Sequence, residues 1–208
     1  TSSLGVDKHT VQASTYDALV SGDVPPASIL FNERLGLSLL PSSPSLAGAE
    51  VELVEELGRE FKLKKALESL DGKYDYILID SPPSLGLLTV NSLTASDSVI
   101  IPLQCEYLAL EGLTQLITAI RLIQDHLNPS LRIEGVLLTM YDARLSLSKQ
   151  VADEARKFFS DRVYKAVIPR NVRLSEAPSF GKPIVLYDPH SSGAESYRML
   201  AREVLGHD

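Results

Sequence analysis

Four short apolar runs, free of polar alternation, constrain this chain more than any other feature. Tyr76-Ile77-Leu78-Ile79 is closed by Asp80, and Val99-Ile100-Ile101, Val136-Leu137-Leu138 and residues 163–168 have the same character. A strand with one wet face alternates apolar and polar side chains, whereas a strand covered on both faces does not. Between the runs lie stretches with helical periodicity, at 108–126, 147–159 and 194–205. This alternation predicts an α/β fold: a doubly wound, mostly parallel sheet flanked by helices and joined by right-handed crossovers.

The N-terminal third is punctuated differently. Ser14-Thr15-Tyr16-Asp17 has the form of a helix start, a serine cap with an acid three residues later. Pro25-Pro26 interrupts any helix there. Residues 35–40 read as a short strand. Ser42-Ser43-Pro44-Ser45 reads as a loop capping a helix over 46–57, and a second helix over 61–70 ends at Asp71-Gly72. There is no internal repeat, low-complexity tract or linker, and 208 residues suffice for one domain with a single core.

A net charge of −7 argues against general nucleic-acid binding, so any DNA contact has to come from a local basic patch. No apolar run reaches the roughly 18 residues of a membrane-spanning helix, and the opening Thr1-Ser2-Ser3-Leu4-Gly5 has no signal-peptide pattern. The single cysteine, Cys105, excludes an internal disulfide and suits a reducing cytoplasm; it reads as a small semi-buried side chain.

Residues 74–83, Tyr74-Asp75-Tyr76-Ile77-Leu78-Ile79-Asp80-Ser81-Pro82-Pro83, are the most informative stretch. A strand ending in aspartate puts a carboxylate at the C-terminal edge of a sheet, where α/β folds bind ligands. A strand-end aspartate can equally cap a following helix. The two prolines stiffen the turn after it.

The segment from Asp80 to Gly86 resembles the Walker B region of the ParA/Soj family of chromosome-partitioning ATPases. The resemblance continues through Ile101-Pro102-Leu103-Gln104-Cys105-Glu106-Tyr107, Ala109-Leu110-Glu111-Gly112, residues 134–142 and Gly181-Lys182-Pro183. It is most specific at Ile168-Pro169-Arg170-Asn171-Val172-Arg173-Leu174-Ser175-Glu176-Ala177-Pro178, and it covers essentially the whole chain.

The resemblance implies a P-loop ATPase in which two subunits sandwich two ATP molecules. It implies ATP and Mg²⁺ as cofactors, a homodimer with ATP, non-specific DNA and a ParB-type protein as partners, and a cytoplasmic, nucleoid-associated location with no membrane. Asp80 matches the Walker B aspartate, with catalytic and Mg²⁺-binding roles. Pro169 and Asn171 match residues that hold the adenine, and an amide suits a purine edge because it offers donor and acceptor. Asn171 could also cap a helix. Arg144 and Arg173 match positions that contact DNA in the dimer. Each could be a solvated surface arginine, and Arg173 could pair with Glu176.

The sequence departs from the family in places. Ser81 stands where many relatives have cysteine, and Phe180 where histidine is common. His190-Ser191-Ser192 replaces a more basic stretch, which weakens the DNA case. The family's phosphate loop, K-G-G-V-G-K-T-T, has no counterpart, and no GKS or GKT occurs in the 208 residues. The chain is therefore read as a single ParA-type domain over 1–208 whose N-terminal βαβ unit is missing. As given, it is expected not to hydrolyse ATP and to be poorly soluble. A MinD-like ATPase cycling on membranes is the alternative. It would need a basic amphipathic C-terminal helix, and the tail carries only Arg198 and Arg202 and ends in Asp208. A nucleotide-free scaffold is a third possibility.

Overall fold

A computed structural model describes residues 1–106 and 109–206; Tyr107 and Leu108, expected in the motif and at the start of the 108–126 helix, and His207 and Asp208 of the tail lie outside the described residues. The chain divides into two compact units. The first comprises residues 1–2, 6–97 and 119–131, and the second residues 3–5, 98–118 and 132 onward.

In the first unit, helix α1 (Thr15–Ser21) starts at the capping box foreseen from sequence. The Ser14 hydroxyl accepts the Tyr16 N–H, and the Asp17 carboxylate accepts the Ser14 N–H at 2.8 Å. A small antiparallel hairpin follows, β1 (Leu30–Asn32) against β2 (Leu37–Leu39). Its turn needs Gly36, whose φ of +63° is left-handed. The 35–40 strand is thus present in shortened form. Strand β1 was not foreseen, because three residues carry no periodicity. Helix α2 (Leu46–Glu52) begins without the expected serine cap: Ser45 already has helical dihedrals and makes no side-chain cap bond. Helices α3 (Lys62–Leu67) and α4 (Leu87–Ala95) complete the unit's main elements.

Two apolar clusters fill this unit. Ala18, Val24, Ala66 and Leu70 form one, and Leu19, Ala49, Leu53 and Leu63 the other. Asn91, fully buried, ties α4 to its surroundings. Its amide donates to the Arg59 and Leu87 carbonyls and accepts the Leu63 N–H, so a costly buried polar group is satisfied.

The segment expected to be a strand at 76–79 forms none. Residues 74–83 are irregular, and Leu78 is 88% exposed. Among the described residues no strand pairs with this run. A lone extended segment has no ladder to bond its backbone groups, so water does so instead. Only Ile79 is partly buried, against the Leu19 cluster.

The second unit is built on the parallel sheet foreseen from sequence. Strands β3 (Ser98–Gln104), β4 (Arg132–Tyr141) and β5 (Val163–Pro169) lie in the order β3-β4-β5, both pairs parallel. Helix α5 (Ala109–His126) follows β3 and helix α6 (Ser146–Phe159) follows β4. Val136, Leu137 and Leu138 are at most 5% exposed, so both faces of β4 are covered, which is why its sequence does not alternate. After β5 come the short helices α7 (Val172–Glu176) and α8 (Ile184–Tyr187), then α9 (Ser192–Val204), which packs on β5. Gly135 is required for packing: a Cβ there would lie 2.5 Å from the Tyr164 ring.

Candidate functional site

The paired C-terminal ends of β4 and β5 lead into the segments that carry four of the five residues singled out from sequence, Arg144 after β4 and Pro169, Asn171 and Arg173 at and after the end of β5. Tyr141, the last residue of β4, pairs with Pro169, the last residue of β5, and the Arg170 N–H donates to the Tyr141 carbonyl at 3.0 Å. The loop carrying Arg144 and the segment carrying Asn171 and Arg173 therefore leave adjacent strand ends on one sheet edge. That edge is where open parallel sheets bind ligands. Met140 has a φ of +53°, unusual for a side chain of its size, at the irregular end of the β4–β5 ladder.

Asn171 is the N-cap of α7. Its Oδ1 accepts the Arg173 N–H at 2.8 Å, and its Nδ2 donates to the Ser192 hydroxyl at 2.8 Å, joining α7 to the first residue of α9. The cap weighed from sequence is thus formed. A carboxamide has two N–H hydrogens and two lone pairs on oxygen. One of each is used here, and one of each is left over.

Arg144 is gripped by its own loop. Asp142 Oδ1 accepts its backbone N–H at 3.0 Å and its Nε–H at 2.9 Å, and Oδ2 lies 2.6 Å from Nη2. This bidentate pair holds the Asp142 carboxyl down at about 2, chiefly through the Arg144 side-chain hydrogen bond. The Arg144 side chain nevertheless remains 87% exposed.

Arg173 sits in a more acidic setting. Its Nη1 lies 2.9 Å from Glu176 Oε2, and its Nε 3.5 Å from Asp188 Oδ2. Hydrogen bonding to Glu176 raises its pKa above the ordinary arginine value. A further ion pair crosses this edge, Arg170 Nη2 to Glu106 Oε1 at 2.5 Å. Sequence reading missed Asp142, Glu106 and Asp188. The Asp-x-Arg spacing at 142–144 was the one available signal, because Glu106 and Asp188 reach their partners through the fold.

Asp80 belongs to the first unit, in the irregular 74–83 segment, exposed and without a hydrogen-bond or ion-pair partner among the described residues. The described residues hold no cluster of three or more His, Cys, Asp or Glu side chains able to take a metal ion. Cys105 is buried, with its thiol pKa pushed up by burial, as befits a packing residue.

A family model described as an AAA domain matches residues 1–133. The sporulation initiation inhibitor protein Soj of Bacillus subtilis is 59% identical over 98% of this chain and 81% of that protein. The chromosome partitioning protein ParA of Myxococcus xanthus is 52% identical over 100% of this chain and 73% of that protein. Among solved structures, cobyrinic acid a,c-diamide synthase of Mycobacterium smegmatis, with bound ATP analogue and magnesium, superposes with a TM-score of 0.85. It is 38% identical, over 99% of this chain and 76% of that one. The fold is that of the P-loop ATPases. Within that class, the chain belongs to the ParA/Soj family of chromosome-partitioning proteins.

Proposed function

We propose that this chain, read as one ParA-type domain over 1–208, works as an ATP-dependent partitioning switch for chromosomal or plasmid DNA. ATP with Mg²⁺ closes a homodimer, the dimer holds DNA without regard to sequence, and a ParB-type partner triggers release. The observation that carries this reading is the adjacency of two arginine-bearing loops at the ends of β4 and β5, next to the Asn171 amide. Dimerisation doubles such a patch across a two-fold axis, so an acidic protein gains DNA affinity only in its nucleotide state.

The residues present fit the base end of a nucleotide and not the phosphate end. Asn171 keeps a free donor and acceptor, and Pro169 flanks it. The 208 residues contain no GKS or GKT loop to cradle phosphates. No hydrolytic step can therefore be derived from these residues alone, and the 208-residue chain is expected to release no phosphate from ATP. Bound Mg²⁺–ATP would supply the charge that selects the closed state. Asp80 is the residue proposed to face the metal.

The test is a salt titration of DNA binding by the full-length protein and its Arg144→Ala/Arg173→Ala variant, both with a non-hydrolysed ATP analogue. Arginines that bind phosphate read no bases, so the variant should bind every sequence more weakly. Its salt slope should be flatter by about 1 for each arginine taken off a phosphate. Unchanged affinity and slope would move the DNA face elsewhere.

A further inference from the structure

We propose that Glu176, with Asp188 and Tyr187, forms an acidic latch that occupies the Arg173 guanidinium until a phosphate displaces it. The inference rests on the DNA reading above and adds a control to it.

The two arginines of the patch are restrained in different ways. Arg144 is chelated by Asp142, two residues earlier in the same loop, and its side chain stays almost fully exposed. Arg173 is held by carboxylates from two elements: Glu176 of α7 through Nη1, and Asp188, just after α8, through Nε. Its side chain is 55% exposed.

Glu176 is itself fixed. The Tyr187 hydroxyl donates to the same Oε2 at 3.1 Å, and the Tyr187 ring stacks on Phe180 with centroids 5.0 Å apart.

A guanidinium presents its N–H groups in a fixed fork that matches carboxylate and phosphate alike. Carboxylates already on the fork compete directly with DNA. A tyrosine that fixes one of them lowers the entropy lost in keeping it there. Exposed ion pairs of this kind are weak, so each carboxylate should cost only about two- to five-fold in DNA affinity. That size suits a latch that delays binding until the patch is doubled in the dimer.

Removing an acid also relieves general repulsion of DNA, so the experiment has to separate the two effects. Binding of a short duplex of arbitrary sequence is measured for the full-length protein with a non-hydrolysed ATP analogue. Glu176→Gln and Tyr187→Phe are each made in the natural and in the Arg173→Ala background. The latch predicts about two- to five-fold tighter binding for Glu176→Gln, and a smaller gain for Tyr187→Phe, which leaves the charge unchanged. Both gains should vanish without Arg173. A gain from Glu176→Gln that persists in the Arg173→Ala background is a net-charge effect and overturns the latch, as does no gain in either variant. If Arg173→Ala alone leaves binding unchanged, it is the DNA role of Arg173 that fails, and the latch with it.

Discussion

Glu203, near the end of α9, closes the outer edge of the sheet by accepting the Lys165 N–H of β5 at 2.7 Å and the adjacent Ala166 N–H at 3.0 Å. An edge strand with open N–H groups is a template for pairing with another chain. Here a single carboxylate covers two donors at once, one per oxygen. Hydrogen bonds to charged groups contribute about 1.5–3 kcal/mol when buried and less near water. Glu203→Ala should therefore destabilise the protein by about 1–3 kcal/mol, with greater self-association on light scattering. Glu203→Gln, which keeps one acceptor oxygen, should fall between. A denaturant midpoint unchanged by Glu203→Ala would show that α9 docks without this bond.

The Asp142–Arg144 pair makes a separate prediction about pH. The carboxyl is held at about 2 in the folded protein, below its ordinary 3.8. A depressed acid pKa contributes stability that is fully present above the unfolded value and fades as pH falls from about 4 towards 2. The pair therefore gives no pH dependence between pH 5 and pH 8. Carboxyl NMR should place the Asp142 titration near 2, and Arg144→Ala should return it towards 3.8. A titration near 3.8 in the natural protein would mean the two side chains do not pair in solution.

Most of the second unit could be read from sequence because its strands are short apolar runs, and the central one, β4, is buried on both faces. Val136-Leu137-Leu138 cannot lie on a half-wet sheet, and the fold places them in its middle strand, whereas β5 beside it buries only Ala166 and Ile168 and leaves Lys165 exposed. The Ser14 capping box was equally legible, since all its partners lie within three residues. The Tyr76-Ile77-Leu78-Ile79 run misled for a physical reason: apolar content specifies burial, whereas a strand also needs a neighbour to bond. At the site, Asn171 and Arg173 were legible as residues but their partners were not. Ser192 is 21 residues from Asn171, and Glu106 is 64 from Arg170; only the fold brings them together.

Asn171 has two separable tasks, so its substitutions should divide. Asn171→Ala removes the cap of α7 and should cost about 1 kcal/mol of stability. Asn171→Ser retains a side-chain oxygen of comparable capping strength but loses the amide pair available to a base. On the proposed role, both variants weaken ATP binding while turnover at saturating ATP changes little, because the base is remote from the reacting phosphate. Asn171→Ala should lower the thermal midpoint more than Asn171→Ser, which keeps a capping oxygen and loses only the bond from Nδ2 to the Ser192 hydroxyl. ATP affinity retained by Asn171→Ser would assign the residue to capping alone.

The 74–83 segment gives the most direct test of the structure. Its backbone has no ladder partner among the described residues and all its side chains but that of Ile79 are exposed, whereas Val136 and Leu138 are wholly buried in β4. Exchange of backbone hydrogens reports local opening, and unpaired exposed amides open at almost no cost. In the 208-residue chain, residues 74–80 should exchange at close to unprotected rates while 136–138 stay protected. Asp80→Ala should leave stability within about 0.5 kcal/mol, as for surface sites without partners. A slow, β4-like exchange at 76–79 would show that this run does find a strand partner in solution. In that case Asp80 would sit at a sheet edge, and Asp80→Ala would then have to be tested for its effect on Mg²⁺–ATP binding.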